Sequence, residues 1–186
     1  VTDKSEMGTA YNLEDLNVLI VEDNSHMQLI LKEILRAFKI RNIRTANDGV
    51  DGLKELRTFA ADLVIADWNM EVLDGLEFIR MIRTGADSKN PYVSIIMLTG
   101  HSEMHHIVEA RDAGMNEYLA KPVSAKALYE RICSVIERPR QFIKTRTYAG
   151  PDRRRSKPTP KTNKGRRASD KEPGNLSGNA TSEQND

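Results

Sequence analysis

Cysteine is almost absent. Cys133 is the only one, so no internal disulfide can form. The N-terminus also lacks a basic, apolar, small-residue leader, so secretion is not expected and a reducing cytoplasm is the default compartment. No apolar run approaches the ~18 to 20 residues that cross a bilayer, and no membrane insertion is expected. The first residue is Val1 rather than Met, as a trimmed or engineered start would leave it. Large aliphatics vanish after Ile143, where Leu176 stands alone amid Pro, Gly, Ser, Thr, Asn and charge. Such a stretch cannot bury enough apolar area to offset its chain entropy. Residues 144–186 are therefore expected to be a disordered tail, and residues 1–14 a short polar leader.

Charge of one sign is missing from neither half, but the halves differ. The 186 residues carry a net charge of +1. Residues 144–186 hold 11 Lys plus Arg against five acids, or +6, which leaves residues 1–143 at −5. An acidic body precedes a basic tail, and the body is long enough for one core without a structural metal.

Within residues 15–143, apolar runs of strand length alternate with stretches of helical period, the pattern of a βαβ chain with a parallel sheet. The spacing predicts strands over 18–21, 43–46, 63–66, 93–98 and 117–120. The first, third and fourth are almost wholly apolar, as strands covered on both faces should be. Met27, Ile30, Leu31, Ile34, Leu35 and Phe38 form a helix stripe, as do Val50, Leu53 and Leu56, then Leu76, Ile79 and Ile82. Ile107, Val108, Ala110 and Ala113 mark a weaker fourth helix, and Leu128, Ile132, Val135 and Ile136 a fifth. Asp48, Ser102 and Ser124 stand where N-caps are useful, and Gly114 where a helix should stop. The expected architecture is a (βα)5 doubly wound parallel sheet of three layers, with no internal repeat.

In open α/β sheets, ligands bind beyond the carboxyl ends of the strands. Glu22 and Asp23 follow the first strand. Asp67, Trp68 and Asn69 follow the third, Thr99 and Gly100 the fourth, Lys121 and Pro122 the fifth. Three carboxylates crowded on one edge repel unless a cation sits among them, and a hard oxygen set suits Mg²⁺. A carboxylate can attack phosphorus, and phosphoryl transfer needs mainly positioning and charge neutralisation. Lys121 and the metal would supply that neutralisation, and the Thr99 hydroxyl would hydrogen-bond a phosphoryl oxygen.

Leu-Ile-Val-Glu-Asp-Asn (19–24), Ile-Ala-Asp-Trp-Asn-Met (65–70) with Asp74-Gly75, Leu-Thr-Gly (98–100) and Glu-Tyr-Leu-Ala-Lys-Pro (117–122) together resemble the receiver domain of bacterial two-component response regulators, most closely the chemotaxis-type, stand-alone receivers. The match runs from about Asn17 to Glu137. The resemblance implies a flavodoxin-like strand order 2-1-3-4-5. It implies that Asp67 accepts a phosphoryl group from a histidine kinase or histidine phosphotransfer protein. Asp23 and Asp67 would bind Mg²⁺, Glu22 through water and Asn69 through its backbone carbonyl. Thr99, Gly100 and Lys121 would contact the phosphoryl group, with a cis peptide before Pro122. Thr99 and Tyr118 would form a switch pair that reshapes the surface of the fourth helix, fifth strand and fifth helix for a downstream protein target. A dimer that forms on phosphorylation is compatible with this reading. No metabolite is turned over, only self-phosphorylation from a phosphodonor and slow autodephosphorylation.

Two positions depart from the family pattern. Glu71 stands where these receivers usually carry proline. His101, with Asn69, occupies a position associated with the rate of aspartyl-phosphate hydrolysis. His101, His105 and His106 could be mistaken for a metal set, but no Cys or clustered carboxylate completes it, and a solvated helix is the reading. The tail is too short and polar for a helix-turn-helix, so sequence-specific DNA binding is not expected. Tyr148 to Ser156 resembles a short Tyr-x-Gly-Pro-Asp-Arg-Arg-Arg segment seen after some bacterial receivers, with no mechanism attached. The tail is read as solvated, with partner docking next and electrostatic nucleic-acid or acidic-membrane binding behind. A phosphorylation-independent receiver-fold interaction module is the alternative. An aspartyl phosphatase would want a second acid where Asn69 stands, and a flavodoxin a Thr- and Gly-rich loop where Glu22-Asp23-Asn24 stands.

Overall fold

The computed structural model describes residues 11–100, 104–145 and 147–153. Five parallel strands, β1 (Asn17–Val21), β2 (Asn42–Ala46), β3 (Leu63–Asp67), β4 (Ser94–Thr99) and β5 (Glu117–Ala120), lie in the order 2-1-3-4-5. They alternate with α1 (Ser25–Ala37), α2 (Gly49–Thr58), α3 (Gly75–Thr84), α4 (Met104–Ala113) and α5 (Ala125–Glu137). The registers place Ala66 between Val21 and Met97, and Leu98 between Asp67 and Leu119, so the strands end at one common edge.

Alternate residues of each strand face opposite layers. Val18, Ile20, Ile65, Ile96 and Leu98 pack with Leu31 and Leu35 of α1 and Leu128 and Ile132 of α5. Leu19, Val21, Val64, Ala66, Ile95 and Met97 pack with Phe78, Ile79 and Ile82 of α3 and Ala110 of α4, with Leu53 and Leu56 of α2 at the rim. Each fully buried aliphatic or aromatic side chain here stabilises the fold by about 1.5–3 kcal/mol relative to exposure. The helix starts are fixed by short polar side chains that accept orphan amides: Asn24 for α1, Asp48 for α2, Asp74 for α3 and Ser124 for α5. Gly114 ends α4 with φ +106°, as the sequence suggests. Ser102 lies outside the described residues.

Both flanks differ from expectation. Leu13, read as part of a polar leader, is 3% exposed and joins the α1–α5 layer, with Tyr11 beside it. Residues 11–14 therefore belong with the body, because two apolar side chains there have a surface to cover. The start of the tail, expected to be without structure, forms a hairpin: β6 (Phe142–Lys144) pairs antiparallel with β7 (Ala149–Pro151). The Phe142 ring meets Tyr92 edge to face at 4.6 Å. Arg153 stacks 3.8 Å above Tyr148 and pairs with Asp112 of α4 at 3.3 Å. Ala149, Gly150 and Pro151 are buried against the end of α4. A Cβ on Gly150 would lie 2.8 Å from the Gly114 Cα, and one on Gly114 2.9 Å from the Ala149 carbonyl oxygen. Glycine at both places permits this backbone-to-backbone approach.

Arg83 of α3 anchors the same corner. Only 3% exposed, it donates from Nε to the Gly114 carbonyl (2.9 Å), from one terminal nitrogen to the Pro91 carbonyl (2.7 Å) and from the other to Asn116 Oδ1 (3.1 Å). Burial pushes its guanidinium down to about 10, so it is charged at neutral pH. Three oxygen acceptors are what a buried fork of donors requires.

Candidate functional site

The carboxyl edge of the sheet collects the predicted polar residues because every parallel strand ends there. Asp67 closes β3 as its last residue, and Glu22 and Asp23 follow directly on β1. One carboxylate oxygen from each of Glu22, Asp23 and Asp67 lies within 4.8 Å of the others. Glu22 is 1% and Asp67 5% exposed, whereas Asp23 is open to solvent. Two buried acids and one exposed acid thus share one cleft.

Lys121 reaches into that cleft from the end of β5, where the Lys121–Pro122 peptide is cis. Its Nζ lies 2.9 Å from Asp67 Oδ1 and 3.0 Å from Glu22 Oε2. The Lys121 amide donates to the Thr99 carbonyl at 2.8 Å, which ties the end of β5 to that of β4. Burial pushes the Glu22 and Asp67 carboxyls up, against the lowering pull of Lys121. Burial alone would lower the Lys121 ammonium, but its bonds to Asp67 and Glu22 outweigh that and hold it above its usual range. Among the described residues one cation faces three acids, which leaves the cleft short of positive charge. A hard divalent cation with oxygen ligands is the species this donor set fits.

The loop after Asp67 turns back tightly. The Trp68 amide donates to the Leu98 carbonyl (2.9 Å) and the Gly75 amide to the Trp68 carbonyl (3.0 Å). A Cβ on Gly75 would collide with the Asp67 carbonyl oxygen, so the Asp74-Gly75 pair lets α3 start directly behind the acid. Asn69 and Glu71 are exposed on this loop. Thr99 closes β4 and is 3% exposed. Gly100, which follows directly on β4, is exposed, and a Cβ there would touch nothing among the described residues.

Tyr118 sits one strand away, half-buried against the α3–α4 layer. The Arg131 guanidinium lies 6.0 Å from its ring, and Arg131 Nε donates to its carbonyl at 3.0 Å. The structure therefore gathers Glu22, Asp23, Asp67 and Lys121 within contact range and sets Asn69, Thr99, Gly100 and Tyr118 on the adjoining loops and strands. His101 lies outside the described residues.

One polar residue of the site was missed in the sequence. Gln28, on α1, is 8% exposed and donates to the Glu22 carbonyl at 2.6 Å. The signal was present, since position 28 falls on the apolar stripe with Leu31 and Leu35, where a polar residue is out of place.

Residues 18–133 match the family model described as "Response regulator receiver domain". The chain is 34% identical over 125 residues to the chemotaxis protein CheY-3 of Vibrio cholerae, covering 67% of this chain and 95% of that one. Among solved structures it resembles the receiver domain of a sensor histidine kinase from Pseudomonas aeruginosa, which has a magnesium ion coordinated in its active site cleft (TM-score 0.58, 30% identity, 66% of this chain and 98% of that one). It also resembles the receiver domain of the response regulator Ssk1 of Saccharomyces cerevisiae, in co-crystal with the histidine phosphotransfer protein Ypd1 (TM-score 0.60, 32% identity, 66% and 89%).

Proposed function

Since this chain belongs to the response regulator receiver domain family, we propose that it is a phosphorylation switch in which Asp67 accepts a phosphoryl group from a phosphohistidine of a histidine kinase or phosphotransfer protein. The observation that carries this reading is the Lys121 ammonium held between Asp67 and Glu22 in a cleft with a third acid, Asp23.

An Asp67 oxygen attacks phosphorus in line, a P–O bond forms, and the P–N bond to the donor imidazole breaks with its electron pair leaving on nitrogen. Lys121 is already placed to follow the charge from the carboxylate to the phosphoryl oxygens, and the Thr99 hydroxyl offers a hydrogen bond to one of them. The open space at Gly100 admits the donor ring. The chemistry Mg²⁺ supplies when bound is neutralisation of the phosphoryl oxygens. Asp23, Asp67, the Asn69 carbonyl and, through water, Glu22 are the residues that would hold it.

Loading Asp67 draws Thr99 toward the phosphoryl group and vacates space for Tyr118. Both side chains belong to strands that lead directly into α4 and α5, so the readout is a protein-binding surface on α4, β5 and α5. The protein modifies itself and turns over no metabolite. Asn69, two residues after the acceptor, and His101, two after Thr99 in sequence, set the lifetime of the aspartyl-phosphate.

Intact-protein mass spectrometry after incubation with acetyl phosphate tests this. One labile phosphoryl adduct is expected with Mg²⁺, none with EDTA, and none on Asp67→Asn under either condition. An adduct that persists on Asp67→Asn, or forms equally in EDTA, would refute the assignment.

A further inference from the structure

Mg²⁺ demands a near-ideal octahedral arrangement of its ligands, whereas Ca²⁺ accepts longer and irregular contacts. A site that selects Mg²⁺ must therefore hold its acids still. Glu22 and Asp23 lie just beyond the last residue of β1, where the sheet ladder no longer dictates the backbone. Besides the Lys121 bond to the Glu22 carboxylate, three ties bear on their backbone. The Glu22 amide donates to the Ala46 carbonyl at 3.1 Å. Asn24 Oδ1 accepts the His26 and Met27 amides at 3.0 and 3.1 Å. The third tie is Gln28.

The Gln28 carboxamide is surrounded by acceptors. Its Nε2 lies 2.6 Å from the Glu22 carbonyl, 2.9 Å from Asn47 Oδ1 and 3.3 Å from the Ala46 carbonyl. A carboxamide nitrogen has two hydrogens, so the two short contacts use both and the Ala46 carbonyl shares. Three oxygens around one atom also settle which end of the amide is nitrogen. Gln28 thus joins the first turn of α1 to the loop after β1 and the loop after β2. Leu or Met at this buried stripe position would carry no desolvation cost, so the amide is there for its hydrogen bonds. A donor spent on the carbonyl of Glu22, one residue before Asp23, points to the acids.

We propose that Gln28 is a positioning residue for the metal: by clamping the Glu22 carbonyl it holds the Glu22–Asp23 pair in the geometry that favours Mg²⁺ over Ca²⁺. This rests on the reading of the cleft as an Mg²⁺ site. Outer partners of metal ligands typically change metal affinity ~10–100-fold when removed. Gln28 acts through a ligand's backbone, so the lower end, about tenfold, is expected for Mg²⁺, with Ca²⁺ affinity changed by less than about threefold.

The test uses the full chain and the fluorescence of Trp68, the single tryptophan, adjacent to Asp67. Mg²⁺ and Ca²⁺ are titrated separately into wild type, Gln28→Met (same length, no donor), Gln28→Asn (an amide one methylene too short) and Gln28→Arg (donors and reach retained). The ratio of the two dissociation constants cancels the added charge of the arginine. Expected are a ratio about three- to tenfold less favourable to Mg²⁺ in the Met and Asn variants, a near-wild-type ratio in the Arg variant, and faster hydrogen exchange at the Glu22 amide in metal-free Gln28→Met. Equal loss of both ions would make Gln28 a merely structural residue and overturn the inference, as would variants within about twofold of wild type. Wild type that responds to neither ion overturns the Mg²⁺ reading itself, an outcome visible before any variant is made.

Discussion

Replacing Asp67, the proposed phosphoryl acceptor, by asparagine should make the metal-free protein more stable, although it removes one half of a buried ion pair. At an effective dielectric of about 20, the attraction of Lys121 at 2.9 Å is worth about 6 kcal/mol to Asp67. Repulsion from Glu22 at up to 4.8 Å takes back about 3.5 kcal/mol. The exposed Asp23 adds about 1 kcal/mol more once solvent screening is counted. The small remaining gain faces a desolvation penalty of several kcal/mol for a carboxylate that is only 5% exposed. The neutral carboxamide of the Asp67→Asn variant escapes that penalty, and Lys121 keeps Glu22 at 3.0 Å. The expected gain is about 1–3 kcal/mol, or about 3–10 °C in melting temperature. Urea and thermal unfolding of both proteins in EDTA measure it. Mg²⁺ at a hundredfold excess over its dissociation constant should then stabilise wild type by about 2.7 kcal/mol, and Asp67→Asn by less. The pH dependence has a definite sign. Burial raises the Asp67 and Glu22 carboxyls, so at mildly acidic pH the folded state binds protons that the unfolded chain does not. The cost of the buried charges is fully present at neutral pH and fades as pH falls through the raised values toward the ordinary carboxylate range. The advantage of Asp67→Asn should shrink over that window. A metal-free Asp67→Asn protein less stable than wild type at pH 7 would refute the charge accounting.

Other perturbations reach the remaining parts of the molecule. Lys121→Met leaves Glu22 and Asp67 unpaired and should lower metal-free stability by about 3 kcal/mol, with phosphorylation by acetyl phosphate slowed about a hundredfold; unfolding curves and single-turnover mass spectrometry read the two effects. Arg83→Met strands the Gly114 and Pro91 carbonyls and should cost about 2–4 kcal/mol in urea unfolding. Gly114→Ala forces φ +106° on a residue with a Cβ against the Ala149 carbonyl. It should cost about 1–3 kcal/mol, with faster hydrogen exchange across the β6–β7 hairpin before the global transition.

The strands and helices of the body were readable because their signals are local. Val18–Val21, Leu63–Ala66 and Val93–Leu98 are apolar enough to be covered on both faces, and Asp48 and Ser124 stand where their helices begin. The acidic cleft was readable because a parallel sheet brings every strand's carboxyl end to one edge, so residues that follow strands must converge. Arg83 and Gln28 were not readable in this way. A polar residue in an apolar stripe announces only that something must satisfy it, and the partners, Gly114 and Pro91 for one and Glu22 and Asn47 for the other, come from different elements. The hairpin escaped because Ala149-Gly150-Pro151 has no hydrophobic signature. It is buried by backbone fit against Gly114, which depends on small residues meeting rather than on apolar area.

By itself, then, the sequence determined the βα alternation, the apolar stripe of each helix and the chemistry gathered at the sheet edge, since these follow from periodicity, capping and the direction of parallel strands. Only the tertiary structure decided that Lys121 bridges Glu22 and Asp67, that Gln28 clamps the loop carrying two of the acids, and that residues 144, 145 and 147–153 belong to the body. Each of these depends on distances between elements far apart in the chain, and such distances are set by packing.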